Sequence, residues 1–275
     1  MNRLTESMRE QWVEDGYLHL KNVVGKDEVA TCLAAADEVI ARYEKDRPQE
    51  RQKGAYTIIQ TLEHTRSVDC LMDHPNLFGI ILDLMGPYLQ IMGSQIYVRY
   101  PSESDDNLLG WHTDAGRSLA QVRVTPDSLP LNFKIQFFLT DITADNHANF
   151  CLVPGSHQRP TPEGGELPRD ETPAGAIQLI AEAGDCAIFP NTMWHAVAPN
   201  HSDTVRRSVT FRYGQMWCRP YDYEKCPAEV LAQMTPRRRR LMGDMGEHYT
   251  ATDYFKPHDQ IEVIMDGLDF ACPHV

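Results

Sequence analysis

The sequence is short of basic residues. Its 275 residues include 26 lysines and arginines against 39 aspartates and glutamates, which gives a formal net charge of −13. Such an imbalance disfavours a general surface for nucleic acid or for an anionic membrane, although it leaves room for a local basic pocket. We therefore expect neither a nucleic-acid partner nor a membrane.

The cysteines also lack any recognisable pattern. The seven cysteines are odd in number and scattered, and no two are spaced as C-x-x-C, which argues against a disulfide framework and against a structural zinc site. The first residues contain no apolar core of a signal peptide. The longest apolar stretch, residues 77–92, is interrupted by Asp83, Gly86 and Pro87 and is too short to span a bilayer. These absences predict a reduced, cytoplasmic protein.

Hydrophobic periodicity changes along the chain. Apolar residues at helical spacing occur in the first part, short alternating segments with turn signals follow from Tyr88 to Trp217, and helix and loop return after Pro220. This order predicts a mostly β fold with flanking helices, in the form of a β-sandwich or jelly roll. No internal repeat or clean linker is visible. We expect a single domain over 1–275, made of a helical portion (about 1–87), a jelly-roll core (about 88–217) and a C-terminal coda (218–275).

The segment Gly110-Trp111-His112-Thr113-Asp114 carries the main chemical signal. In an extended chain, side chains alternate, so His112 and Asp114 point to the same side. With a second histidine, they would complete the 2-His-1-carboxylate facial triad of non-haem Fe(II) oxygenases. An H-x-D pair is weak evidence by itself, and the same pattern recurs at 201–203, where we interpret it as part of a loop.

His195 is the candidate for the second histidine, because it lies alone in an apolar, strand-like segment. A buried neutral histidine without a metal is the alternative interpretation. A turn-rich loop after it leads to Arg206, which a hairpin would bring back beside His195, where a guanidinium can hold a carboxylate with two hydrogen bonds. Arg207 is one residue away and would face the other side of the strand, so an error of one residue in the register would give this role to Arg207 instead. We favour Arg206 as the arginine that holds the carboxylate.

The ordered combination of these segments resembles the phytanoyl-CoA dioxygenase family, whose members are Fe(II)- and 2-oxoglutarate-dependent oxygenases on a double-stranded β-helix (jelly roll, cupin-like). The similarity runs from about Gln11 to Gly243. The residues that carry it are Gly110-Trp111-His112-Thr113-Asp114, Phe138-Leu139-Thr140-Asp141, Val153-Pro154-Gly155-Ser156-His157, Trp194-His195 and Arg206-Arg207-Ser208.

The resemblance implies roles for particular residues. His112, Asp114 and His195 would be the catalytic iron ligands and Arg206 the anchor of the cosubstrate 2-oxoglutarate. Phe137 would form an aromatic wall beside the cosubstrate, and Arg99 matches a polar cosubstrate contact only loosely. The sequence departs from the family at Val197, where some members place a serine that helps to bind the cosubstrate.

The implied reaction uses Fe(II), 2-oxoglutarate and O2 to hydroxylate or otherwise oxidise a C–H bond of a small molecule, with succinate and CO2 as co-products. Related halogenases replace the carboxylate ligand by a small residue, so Asp114 predicts hydroxylation and not halogenation. Arg117 and Lys134 are candidate substrate contacts, because basic residues cluster around the site segments and would suit an anionic substrate.

Two other classes stay open at this point. A metal-dependent hydrolase on a cupin-like barrel would need only a metal-bound water, and a non-catalytic binding module would need no metal. Neither requires an arginine at position 206. The sequence leaves the choice between a monomer and a homodimer open.

Overall fold

A computed structural model describes residues 2–103, 109–115, 128–158, 171–246, 250–255, 257–271 and 274. Its α-helices are α1 (Glu6–Glu14), α2 (Lys26–Asp46), α3 (Thr61–His64), α4 (Phe78–Met85), α5 (Ala228–Leu231), α6 (Pro236–Leu241) and α7 (Gln260–Met265). Its strands are β1 (Leu18–Leu20), β2 (Ala55–Ile59), β3 (Leu89–Arg99), β4 (Leu109–His112), β5 (Asn132–Phe138), β6 (Phe150–Leu152), β7 (Ile177–Gln178), β8 (Cys186–Pro190), β9 (His195–Val197) and β10 (Arg206–Gln215). Short 3-10 turns cover Pro48–Glu50, Asp69–Leu71, Ser156–Gln158 and Ala251–Tyr254.

The strands form two antiparallel sheets. The larger sheet has the order β1-β8-β5-β10-β3-β2, and the smaller has the order β4-β9-β6-β7. Phe138 and Phe189 from the larger sheet pack with Phe150 and Leu152 from the smaller one in a single buried cluster. The two sheets therefore face each other, and the predicted jelly roll is confirmed.

The N-terminal part contains strands as well as helices. Thr5 caps α1 by accepting a hydrogen bond from the backbone N–H of Met8 at 3.2 Å, as its position before an amphipathic segment indicates. Yet β1 and β2 lie in the same part of the chain and form the two edges of the larger sheet. The expected helical portion thus contributes strands to the sheet that it was expected to cover.

Alternation along β10 separates the helix-side core from the space between the sheets. Val209, Phe211 and Tyr213 are buried in the main hydrophobic cluster with residues of α2 and α4. The intervening side chains are polar and, by the two-residue period of a strand, point toward the smaller sheet. These inward-facing residues are Arg206, Ser208, Thr210 and Arg212. Their arrangement supplies polar groups to an otherwise apolar interior.

The strand β3 is one long strand with a bulge at Met92. Opposite β10, Gly93 pairs with Arg212 and Ile91 with Tyr213, which leaves Met92 as the extra residue. A side chain at Gly93 would clash with Asp222, since an added Cβ would lie 2.8 Å from a carboxylate oxygen. The bulge therefore lets the Asp222 segment approach the inner face of the sheet.

Among the residues that the structure covers, no helix is both long and apolar enough to cross a bilayer. The cysteines in the same ranges are all free thiols, in agreement with their scattered spacing.

Candidate active site

His112 and His195 meet between β4 and β9, where they are direct cross-strand partners. Their ring centroids are 4.2 Å apart. Nδ1 of His112 lies 2.8 Å from the carbonyl oxygen of Gly110, and Nδ1 of His195 lies 2.9 Å from that of Met193. Because a carbonyl oxygen only accepts, each Nδ1 carries the hydrogen, and each Nε2 keeps a free lone pair.

Asp114 follows β4 and faces the same point as the two imidazoles. Its Oδ2 lies 3.8 Å from Nε2 of His195. One ligand atom from each of His112, Asp114 and His195 can be chosen so that all three lie within 4.8 Å of one another. Two neutral imidazole nitrogens and one carboxylate form a donor set that suits Fe(II) and leaves coordination positions open. The residues fit the metal that their spacing predicts.

The electrostatics of the cluster favour metal-binding protonation states. Burial and the neighbouring His112 lower the pKa of His195 to about 3, so its imidazole is neutral at physiological pH. For Asp114, burial acts to raise the pKa, but the nearby charges of Lys134 and Arg212 outweigh it and hold the pKa well below its usual range. The carboxylate is therefore ionised, as a metal ligand must be.

Lys134 and Arg212 contact the same carboxylate oxygen. Nζ of Lys134 lies 2.7 Å and Nη2 of Arg212 lies 3.2 Å from Oδ2 of Asp114. Both cationic residues are largely buried, each with 8% of its surface exposed. The ligand carboxylate is thus embedded among positive charges before any metal is considered.

Arg206 occupies the other end of the same interior space. It is only 3% exposed, and its Nε and Nη2 have no hydrogen-bond partner among the described residues. Burial and the charge of Arg99, its cross-strand partner, lower the pKa of Arg206 to about 9. Arg99 is equally buried, has an unpartnered Nε within the described part, and has its pKa lowered by burial to about 10. Such buried, unsatisfied guanidinium groups call for an anion.

A cavity between the sheets joins the histidines to Arg206. Lys134, Gln136 and Thr210 line it together with both histidines and with Arg206. The side-chain oxygen of Thr210 is another buried polar atom without a described partner. The aromatic residues that line it are Phe150 from the smaller sheet and Tyr97 and Phe189 from the larger one. The cavity therefore has a metal-ligating end, a cationic end and polar groups in between.

The expectation for Phe137 is wrong. On β5, Lys134, Gln136 and Phe138 share the inward face, so Phe137 points to the helix side. There it is buried in the main core and packs edge-on against Phe211, with ring centroids 6.4 Å apart. The alternation of β5 contained the signal that excludes Phe137. Phe150 and Phe189, which line the cavity, were missed because their strands are remote in sequence from the H-x-D segment.

The other predicted residues divide between the two faces. Arg207 points outward, and its Nε donates to a carboxylate oxygen of Asp37 at 2.6 Å, so Arg206 and not Arg207 faces the cavity. Arg117 lies outside the described residues. Lys134 lines the cavity. Lys134 and Arg212 both contact Asp114, and the sequence did not indicate either contact.

A second, larger cavity of about 500 Å³ lies between the end of β10 and the C-terminal segment. None of its lining residues belongs to the cavity that contains the histidines. We place the chemistry in the smaller cavity, because both histidines of the metal-ligand set and Arg206 line it.

The amino-acid sequence is similar to those of several known proteins. The family model described as phytanoyl-CoA dioxygenase (PhyH) matches residues 12–208. The dioxygenase andF of Emericella variicolor is 28% identical over 122 residues, which cover 44% of this chain and only 40% of that protein. The dioxygenase trt7 of Aspergillus terreus is 23% identical over 243 residues, which cover 84% of this chain and 80% of that protein.

A solved structure shares the fold. HygX from Streptomyces hygroscopicus, with nickel and 2-oxoglutarate bound, superposes with a TM-score of 0.64 at 18% sequence identity, over 83% of this chain and 94% of that one. The double-stranded arrangement of the two sheets is therefore shared with a protein whose sequence has diverged widely.

Proposed function

The chain belongs to the phytanoyl-CoA dioxygenase family, and we propose that it is an Fe(II)- and 2-oxoglutarate-dependent dioxygenase that hydroxylates a C–H bond of a small molecule. His112, Asp114 and His195 hold the iron. When bound, iron with 2-oxoglutarate and O2 supplies the oxidising chemistry, and succinate and CO2 are the co-products. The curated relatives named as dioxygenases and the 2-oxoglutarate in HygX support this reaction class.

The protein's own contribution is orientation and charge. The carbonyl oxygens of Gly110 and Met193 fix the tautomers of His112 and His195, so no proton has to leave either Nε2 before the metal binds. Arg206 pairs with the distal carboxylate of 2-oxoglutarate, and Arg99 adds a second positive charge beside it. Phe150 and Phe189 form an apolar part of the cavity wall, which helps to exclude water.

One observation carries this proposal: Arg206, which is buried and has two nitrogens without a hydrogen-bond partner among the described residues, lines the same cavity as both histidines of the 2-His-1-carboxylate set. A metal-dependent hydrolase would use the metal-bound water and would leave the charge of Arg206 buried without purpose. A binding module would need neither the histidine tautomers nor the arginine. Both alternatives are therefore less well supported than the oxygenase.

Asp114 favours hydroxylation over halogenation, because it fills the third protein ligand position that a halide would otherwise take. Labelled O2 tests this with any substrate that is found. Hydroxylation adds one labelled oxygen atom to the product, whereas a cyclised or epimerised product gains none and a halogenated product contains a carbon-bound halogen atom. Either of the latter results would replace hydroxylation by another reaction within the same family.

The first test is an anaerobic titration of the protein with Fe(II) and 2-oxoglutarate, followed through their joint visible charge-transfer band. We expect a band that needs both components, is lost in His195→Ala and is weakened in Arg206→Ala. Arg207→Ala is the matched control, since this neighbouring arginine faces away from the cavity and should leave the band unchanged. A folded protein that binds metal but gives no band would favour the hydrolase.

A further inference from the structure

We propose that Lys134 and Arg212 form an anion-binding pair for the substrate, so that the molecule oxidised carries a carboxylate or another oxyanion close to the metal. This inference rests on the proposed function and adds to it the chemical class of the substrate. It replaces Arg117, which the sequence analysis paired with Lys134, by a residue from the opposite strand.

The two cations are held together by the sheet. Lys134 on β5 and Arg212 on β10 are direct cross-strand partners, and both face inward. Like charges at opposed positions of an antiparallel pair repel each other, so burying them side by side needs anions nearby. Asp114 is one such anion, since both cations reach its Oδ2.

The second nearby anion is Asp222. Its carboxylate lies against Gly93, the cross-strand partner of Arg212, and its Oδ2 accepts the backbone N–H of Ser94 at 2.7 Å. With Asp114 and Asp222 ionised, the two cations are balanced. The balance changes when a divalent metal takes Asp114 as its ligand.

A charge count then leaves one cation over. A bound divalent metal would have its two charges offset by Asp114 and by one carboxylate of 2-oxoglutarate, and the other carboxylate would pair with Arg206. Among the described residues at this end of the cavity, away from Arg99 and Arg206, Lys134 and Arg212 would then share Asp222, and the site next to the metal would carry one excess positive charge. A single negative group on the substrate restores neutrality in this buried environment.

Arg212 also lies on the solvent side of the cluster. It is six residues along β10 from Arg206, and its guanidinium carbon lies 4.0 Å from the ring centroid of Tyr221, which is half-exposed. Its Nη1 is buried and has no hydrogen-bond partner among the described residues. This unused donor, at the end away from the cosubstrate arginine, is available to a substrate that enters past Tyr221.

A purely positional role is the competing explanation, in which both cations only hold Asp114 in place. The two roles differ in their consequences. A positioning pair affects metal and cosubstrate binding, whereas an anion-binding pair affects the binding of an added anion and leaves the metal–cosubstrate complex intact.

The experiment titrates benzoate, and separately inorganic phosphate, into anaerobic protein loaded with Fe(II) and 2-oxoglutarate. Calorimetry measures the binding, and the charge-transfer band reports whether the complex is intact. The variants are Lys134→Gln and Arg212→Gln. Arg47→Gln is the control, because this exposed arginine pairs with Glu50 on the helical side of the protein.

We expect at least one anion to bind to the wild-type and control proteins and to bind about tenfold more weakly in each variant, the effect of losing one charge-assisted hydrogen bond. The band should persist in all of them. Preference for benzoate identifies a carboxylate substrate, and preference for phosphate identifies a phosphorylated one.

Three results would overturn the inference: neither anion binds, both variants bind the anion as tightly as the wild type, or both variants lose the charge-transfer band. In each case, a band in the wild-type protein would still support the oxygenase. The last result would assign Lys134 and Arg212 to the positioning of Asp114. Absence of the band in the wild-type protein would instead refute the proposed function itself.

Discussion

His112 and His195 are cross-strand partners whose Nδ1 atoms are each bonded to the carbonyl oxygen two residues earlier in the chain. The same local bond therefore sets both tautomers, and both free lone pairs point into the space that Asp114 also faces. The metal-binding geometry is built into the backbone of β4 and the approach to β9, and does not depend on long, flexible side chains.

The first prediction concerns metal stoichiometry. Replacing either histidine by alanine removes one of three protein ligands, and we expect His112→Ala and His195→Ala to lose Fe(II) binding at one equivalent. Metal analysis after anaerobic gel filtration measures this. His201→Ala is the control, because His201 is exposed in the loop before β10. Retention of one tight equivalent of iron by both cavity variants would refute the assignment of the ligands.

The second prediction separates the two neighbouring arginines. Arg206→Gln removes a buried charge from the cosubstrate carboxylate, and we expect the dissociation constant of 2-oxoglutarate to rise on the order of a hundredfold. Arg207→Gln should change it little, since that side chain pairs with Asp37 on the outer face. Calorimetry on Fe(II)-loaded protein compares them. A larger effect from Arg207 than from Arg206 would show that the strand is shifted by one residue.

The third prediction is a pH dependence. Burial and Arg99 lower the pKa of Arg206 to about 9, and only the protonated guanidinium pairs with a carboxylate. Affinity for 2-oxoglutarate should therefore be full below this pKa and fall as the pH rises through it, approaching about tenfold per pH unit above it. Calorimetry between about pH 7 and pH 10 follows the change. Arg206→Gln is the control and should show a shallower profile, which falls only near the pKa of Arg99 at about 10; an equal slope in the variant would contradict the assignment.

The hydrophobic periodicity within single segments predicts much of this architecture. The H-x-D segment predicts that His112 and Asp114 share a face because the period of a strand is fixed, and the same rule applied to β5 would have placed Phe137 in the helix-side core. The contacts that local pattern cannot supply are those between distant segments. Lys134 and Arg212 reach Asp114 only because β5 and β10 pair in one particular register, and no spacing within a single segment encodes that register.

The long strand β3 shows the same limit. Its sequence indicates two short strands, because Gly93 and Ser94 interrupt the apolar pattern. In the folded chain, the backbone oxygen of Met92 accepts the N–H of Tyr221 at 2.6 Å, so a segment more than a hundred residues away stabilises the bulge. The interruption is therefore a site of close approach within one strand and not a boundary between two.

The fourth prediction concerns the stability of the metal-free protein. Asp114→Asn leaves Lys134 and Arg212 buried beside each other without their shared carboxylate, and we expect the free energy of unfolding to fall by about 3–5 kcal/mol. Adding Lys134→Gln to this variant should recover part of the loss, because one of the two unpaired charges is then removed. Urea denaturation of the single and double variants gives both values. Equal stabilities of Asp114→Asn and the wild type would mean that the ion pairs contribute nothing.

The fifth prediction tests the face to which Phe137 belongs. Its ring is 1% exposed and packs against Phe211 in the main core, so Phe137→Ala should lower the free energy of unfolding by about 3–5 kcal/mol through the cavity that it leaves. The folded fraction should still bind 2-oxoglutarate with unchanged affinity, because the side chain does not line the cosubstrate cavity. Phe189→Ala is the matched comparison, since that ring does line the cavity, and it should weaken both stability and binding. Denaturation and calorimetry on the two variants separate these effects, and weaker cosubstrate binding by stably folded Phe137→Ala would return this residue to the wall of the site.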